Sequence, residues 1–271
     1  MPIVRLFVEG KLETELLTPV FRGSPVLVPG GSKYALRNSA RGLRNANKIA
    51  AGYLRDRDFD FDPPDDLNQP TVDSPAGETP FGWRWCRHEI ENYLIEPALV
   101  SLSMNWVTEE VEDGIRQAAR SIRHYQAARW SIGLVRRQLP PHYELNTKPV
   151  DGNDFRLPQS LDFDASRDWA LGSISEFRKR ILKNTDAVRA ESAFAAYVDH
   201  FRESFLDDVP SVLLWFSGKD LMAAMSQWLL SRSIPNPGVF RAAIRDWIIA
   251  HPDLVLELLP EWNALVNTLR T

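Results

Sequence analysis

Short apolar runs alternate with helix-like stretches over the first hundred residues. Residues 3–8 form an apolar run that ends at Glu9-Gly10 and reads as a buried strand. Residues 12–21 carry Leu16, Leu17 and Val20 on one helical face. Pro25-Val26-Leu27-Val28-Pro29 is a second strand, closed by Gly30-Gly31, and residues 33–45 are a second helix. Residues 49–54 are a third strand that runs into Arg55-Asp56-Arg57-Asp58-Phe59-Asp60. Strand, helix, strand, helix, strand predicts a parallel sheet with crossover helices, an α/β fold.

Residues 60–82 are rich in Pro, Asp and Gly and read as a long loop, either a functional lid or a disordered insertion. Residues 81–87 read as a fourth strand, and 89–102 as a helix interrupted early by Pro97. From Thr108 the pattern is helical to about Arg137, with Glu109 and Glu110 in the first turn. Residues 140–167 read mostly as loop, and 169–182 and 187–206 as helices. Residues 211–216 have strand character and lead through Ser217-Gly218-Lys219-Asp220 into a helix to about Leu230. Two C-terminal helices follow, broken at His251-Pro252. The expected organisation is a core at 1–105, a helical insertion at 106–206, a strand and helix at 207–232 completing the core, and a C-terminal helical segment at 233–271.

The bulk properties exclude some classes. A chain of 271 residues that is 44% hydrophobic can bury one large core or two modest ones. No apolar run approaches membrane-spanning length, so no membrane partner is expected. The first residues, broken by Arg5, do not read as a signal peptide. The single cysteine, Cys86, forms no intrachain disulfide and is too little for a zinc site, which makes a cytoplasmic location the simplest expectation. The net charge of −4 argues weakly against simple electrostatic binding of nucleic acid. It does not argue against a nuclease, because bound cations cancel the charge of acidic metal ligands.

The candidate chemistry is a set of acids at strand ends, where open parallel sheets place their sites. Glu9 closes the first strand, Asp56 and Asp58 the third, and Glu89 and Glu91 follow the fourth. On an extended segment Asp56 and Asp58 share a face while Arg57 points away. Glu13, four residues after Glu9, approaches if the helix begins soon after Gly10. Converging carboxylates repel one another unless protons or cations neutralise them. Hard oxygen donors select Mg²⁺ or Mn²⁺, and a metal pair supports phosphodiester cleavage. The plain alternative is a row of solvated acids. Recurrence at successive strand ends shifts the balance away from it.

Four segments resemble one family in order and approximate spacing. Phe7-Val8-Glu9-Gly10-Lys11-Leu12-Glu13 resembles the first motif of TOPRIM domains, and Leu54-Arg55-Asp56-Arg57-Asp58-Phe59-Asp60 their Asp-x-Asp motif. Arg87-His88-Glu89-Ile90-Glu91-Asn92-Tyr93-Leu94 and Phe216-Ser217-Gly218-Lys219-Asp220-Leu221 resemble later signatures of the branch containing OLD-family nucleases and PARIS-type anti-phage effectors. The motifs cover about a tenth of the chain but span most of its length.

The resemblance implies a TOPRIM-like small parallel sheet flanked by helices, with a large helical insertion and C-terminal helices. It implies a Mg²⁺- or Mn²⁺-dependent endonuclease acting on DNA or RNA, the toxic effector of a phage-defence system held by a separate ABC-type ATPase. Homodimerisation stays open. Glu9, Glu13 and Glu91 would hold one metal side, Asp56 and Asp58 the other, and Lys219 would stabilise developing phosphorane charge. Glu89 is the alternative to Glu91. A catalytically inactive TOPRIM-fold subunit that docks an ATPase is the competing reading. Two basic series, Lys33-Arg37-Arg41-Arg44-Lys48 and Arg116-Arg120-Arg123 with Arg136-Arg137, are either phosphate contacts or solvated helix surface.

Overall fold

The structure is a computed structural model that describes residues 2–74, 77, 79–137, 157, 160–180 and 190–270. Most of the loop expected at 140–167 and the start of the helix expected at 187 lie outside these residues. In chain order the elements are β1 (Arg5–Val8), α1 (Lys11–Val20), β2 (Val26–Pro29), α2 (Lys33–Asn47), β3 (Ala51–Arg55), a 3-10 turn (Asp58–Asp60), β4 (Thr71–Val72), β5 (Gly82–Arg84), α3 (Glu91–Leu94) and α4 (Pro97–Met104). Then come α5 (Thr108–Arg137), α6 (Phe163–Arg180), α7 (Ala190–His200), α8 (Glu203–Leu206), α9 (Val209–Trp215), α10 (Gly218–Ala224), α11 (Ser226–Ser231), α12 (Pro237–Ala250), α13 (Pro252–Leu258) and α14 (Pro260–Arg270). No helix among the described residues is long and apolar enough to cross a membrane.

The chain forms two compact units, one of residues 1–57, 63–108 and 240–271 and one of residues 58–62 and 109–239. The first, the sheet unit, is α/β. Its five strands run in the order β2-β1-β3-β5-β4, parallel except for the β4–β5 pair. The chain leaves β1 toward β2 on one side and returns to β3 on the other, so the order reverses between β1 and β3. Phe7, Ala51 and Tyr53 pack with Leu36 and Ala40 of α2 and with Phe81, which is why α2 is apolar at those two positions. A Cβ on Gly52 would lie 3.0 Å from both the Phe81 carbonyl and the Trp83 ring, so β3 and β5 need a glycine there. The short β4 arises inside the expected 60–82 loop. Asp73, just after it, is bound by Arg55 at 2.7 Å and Arg84 at 3.0 Å.

The second unit is helical. Its α5 is thirty residues long and buries Val111, Ile115, Ala119 and Ile122 along one stripe. A Cβ on Gly114 would lie 2.6 Å from the Trp228 ring, so this helix needs a bare position to seat the indole. Trp130 lies tilted against Trp215 with centroids 4.9 Å apart and donates its indole N–H to the Trp215 carbonyl.

Three expectations are corrected. Residues 211–216 are not a strand: Pro210 sits in the first turn of α9, where its missing N–H costs nothing, and the apolar run is a buried helix. Residues 207–232 accordingly group with the helical unit rather than completing the sheet, and 240–271 joins the sheet unit. The C-terminal region holds three helices, since Pro260 starts a new one after Leu259.

Candidate functional site

The sheet unit brings most of the expected acids to one edge. Parallel pairing of β1 with β3 and of β3 with β5 puts Glu9, Asp56 and the segment after β5 at the same carboxyl end. Ligand sites in open α/β sheets form at that end, where the strand order reverses. Here the reversal lies between Glu9 and Asp56.

The three strand ends are tied by side chain to backbone bonds. The Asp56 amide donates to the Glu9 carboxylate at 3.1 Å, and the Ile90 amide donates to the Asp56 carboxylate at 3.2 Å. Glu9 thus reaches β3, and Asp56 reaches the loop that carries Glu89 and Glu91. Asp56, Glu89 and Glu91 are 3 to 5% exposed, and His88 between β5 and Glu89 is fully buried. Glu13, in the first turn of α1, is 8% exposed. One of its carboxylate oxygens lies 3.2 Å from where a Cβ on Gly10 would stand, so glycine at 10 leaves room for that carboxylate beside the strand end. Gly10 itself is ordinary extended backbone.

Secondary structure fixes the 87–92 segment locally. The Asn92 side chain caps the Glu89 amide at 3.0 Å, while the Asn92 amide returns to the Glu89 carbonyl. Arg87 donates to the Asn92 carbonyl at 3.0 Å and pairs with Glu96. Beneath it, Arg57 donates to the Cys86 carbonyl at 2.8 Å. Glu261 of α14 accepts from the Cys86 amide at 2.7 Å and from the Tyr93 hydroxyl, and the Trp85 and Trp262 rings stack on each other. Burial pushes the Glu261 carboxyl up to about 7, against the lowering effect of those two bonds. Burial also pushes the Cys86 thiol well up, so it stays protonated and is no nucleophile.

The remaining predicted residues sit in the helical unit. Asp58 is half-buried and adopts a left-handed backbone conformation, φ 50°, at the head of the 3-10 turn. The segment is therefore not extended, and the alternation argument that put Asp56 and Asp58 on one face does not apply. Within this unit Phe59 anchors the turn, with Arg129 over its ring at 4.4 Å and Arg137 donating to its carbonyl at 2.8 Å. Lys219 is half-buried in the first turn of α10. Its neighbour Asp220 is buried, pairs with Arg129 and accepts from Gln126 at 2.8 Å. Ser217 caps the same turn through the Asp220 amide.

Sequence reasoning missed Arg241 and Glu261. The Arg241 guanidinium comes within 4.0 Å of the Glu91 carboxylate, and Glu261 supports the segment that carries Glu91. Both lie more than 140 residues downstream on helices of ordinary amphipathic composition, and no local pattern marks either. As for the donor set, Glu9, Asp56 and the buried pair Glu89 and Glu91 offer only hard oxygen atoms. Carboxyl groups gathered at one sheet end fit a hard divalent cation, which would relieve the repulsion between them. No protein-family model matches the chain, and no curated protein matches its sequence.

Proposed function

We propose that the chain is a metal-dependent nuclease with a TOPRIM-like sheet, acting on phosphodiester bonds of DNA or RNA. The observation that supports it most is the linkage of three strand ends, Glu9 to the Asp56 amide and Asp56 to the Ile90 amide, at the reversal point of a parallel sheet. Glu9, Asp56 and Glu91, with Glu13 alongside, would hold the cation. Glu89 is the alternative to Glu91, equally buried and two residues away. A divalent cation there would supply water activation and charge neutralisation for hydrolysis. The chain's own part is to hold the acids in place. Backbone amides keep Glu9 and Asp56 oriented, and Arg241 offsets the charge on Glu91. From the resemblance alone, Asp58 would be a further metal ligand and Lys219 the cation for developing phosphorane charge.

The same resemblance carries the rest of the proposal: a cytoplasmic toxic effector of phage defence, restrained by a separate ABC-type ATPase. The experiment is a cleavage assay on plasmid, single-stranded DNA and tRNA with Mg²⁺ or Mn²⁺, alone and with a candidate ATPase. Asp56→Ala and Glu9→Ala should each lower cutting by at least about 100-fold, as expected for groups that bind or orient a metal. Cutting that survives both substitutions sinks the site. Mn²⁺ binding by calorimetry with no cutting under any condition favours the inactive docking subunit instead.

A further inference from the structure

The structure separates the two basic series that the sequence leaves equivalent. In the helical unit, Arg116 pairs with Glu112 and Asp113, Arg120 with Glu203 and Asp207, and Arg123 with Glu203. Arg136 and Arg137 pair with Asp60 and Asp62. That surface is neutralised by its own unit. On α2 of the sheet unit the helix itself supplies no acid. It carries Lys33, Arg37, Arg41 and Arg44, and Lys48 follows at its C-cap. Arg37 and Lys48 are exposed, and among the described residues neither makes an ion pair.

The cations form a stripe, because each of Arg37, Arg41 and Arg44 follows a residue of the inward face, Leu36, Ala40 and Leu43. The packing of that face therefore fixes the line of the cations. Arg41 and Arg44 are held against Phe81, 6.0 and 5.2 Å from its ring centre, and Arg44 also donates to the Ala51 carbonyl at 3.0 Å. With Asn45, Thr79 and Phe81 they line an open pocket of about 240 Å³. At its other end the stripe starts at the carboxyl end of the sheet, where β2 leads into α2. The Gly31 amide, two residues before Lys33, donates to the Glu9 carbonyl at 3.2 Å.

We propose that α2 is a track for the phosphate backbone of a nucleic acid, leading along the sheet unit to the carboxylate edge. The proposal rests on the nuclease reading for the class of ligand that reaches that edge. From Lys33 to Lys48 the stripe runs about 22 Å at the α-helical rise, which matches about six phosphates of one duplex strand. The contacts are with phosphate and so carry no sequence preference. They also reconcile an acidic chain with a polyanionic substrate: the cations are concentrated on one helix, not spread over the surface.

The test is binding measured by fluorescence anisotropy in EDTA, which removes cleavage from the readout. The probes are labelled DNA duplex, single-stranded DNA and RNA of about 20 nucleotides, between about 50 and 200 mM salt. Arg37→Ala with Lys48→Ala should weaken duplex binding about 60-fold and single-strand binding about 25-fold near 0.1 M salt. The logarithmic salt slope should fall by about 1.4 to 1.8, the value for two lost phosphate contacts. Arg120→Ala with Arg123→Ala removes the same charge from the neutralised surface and should leave both unchanged. Equal weakening by the two double variants, or no weakening by the first, overturns the track. Displacement of the duplex by poly-glutamate as readily as by unlabelled DNA also overturns it, in favour of an acidic protein partner. Binding independent of α2 together with Mn²⁺-dependent cutting removes the track and leaves the nuclease. Binding that depends on α2 with no cutting does the opposite.

Discussion

Replacing Glu261 by Gln should flatten a steep acid-side stability profile of the sheet unit. Glu261 is 3% exposed, and its carboxyl accepts from the Cys86 amide and the Tyr93 hydroxyl. Burial, the largest influence on it, raises its pKa from 4.5 to about 7. The folded chain therefore keeps this proton between pH 4.5 and 7, where the unfolded chain has lost it. A state that binds more protons loses stability as pH rises, so this group stabilises the fold below about 4.5 and loses that contribution through about 7. The shift of roughly 2.5 units corresponds to about 3 kcal/mol, at up to about 1.4 kcal/mol per pH unit. Gln has nearly the same shape, still accepts from the Cys86 amide, and offers the Tyr93 oxygen a donor instead of an acceptor. Urea denaturation at a series of pH values, followed by far-UV circular dichroism, measures the effect. Wild type should lose about 3 kcal/mol relative to the Gln variant between pH 4.5 and 7, with parallel curves above. Parallel curves across the whole range would refute the reasoning, because they would mean that the buried carboxyl titrates alike in both states.

Gly133→Ala places a Cβ 2.5 Å from the Phe59 Cβ and 2.9 Å from its carbonyl; a loss of about 1–3 kcal/mol is expected in thermal denaturation. Asp220→Ala leaves the buried Arg129 cation without its carboxylate and should cost about 3–5 kcal/mol, whereas the double variant Asp220→Ala with Arg129→Met should recover much of the loss in a double-mutant cycle. Arg22→Ala breaks an exposed pair with Asp253 and should change stability by less than about 1 kcal/mol in the same assay. Mn²⁺ at about a hundred times its dissociation constant should raise stability by about 2.7 kcal/mol, read as a Tm increase that EDTA reverses and that Asp56→Asn abolishes.

The sequence alone determined the four parallel strands of the sheet, though not β4, and the acids that follow three of them. Apolar runs ending at Glu9 and Asp56 are local signals: a strand buried on both faces is a continuous apolar run, and it stops where solvent begins. The first half of helix α5 was legible for the same reason, its apolar positions recurring every three or four residues from Val111 to Tyr125. The 211–216 run was misread because a short apolar segment has no period to tell strand from buried helix, and only the packing of α9 decides it. The alternation that put Asp58 beside Asp56 presumes an extended backbone, whereas Asp58 is left-handed at the head of a 3-10 turn. Tertiary structure alone supplied Arg241 beside Glu91 and Glu261 beneath Cys86, since contacts over more than 140 residues leave no trace in local composition. It also showed that the Arg116, Arg120 and Arg123 series is paired with acids of its own unit. Spacing puts charges on a face, but whether acids answer them depends on which helices pack together.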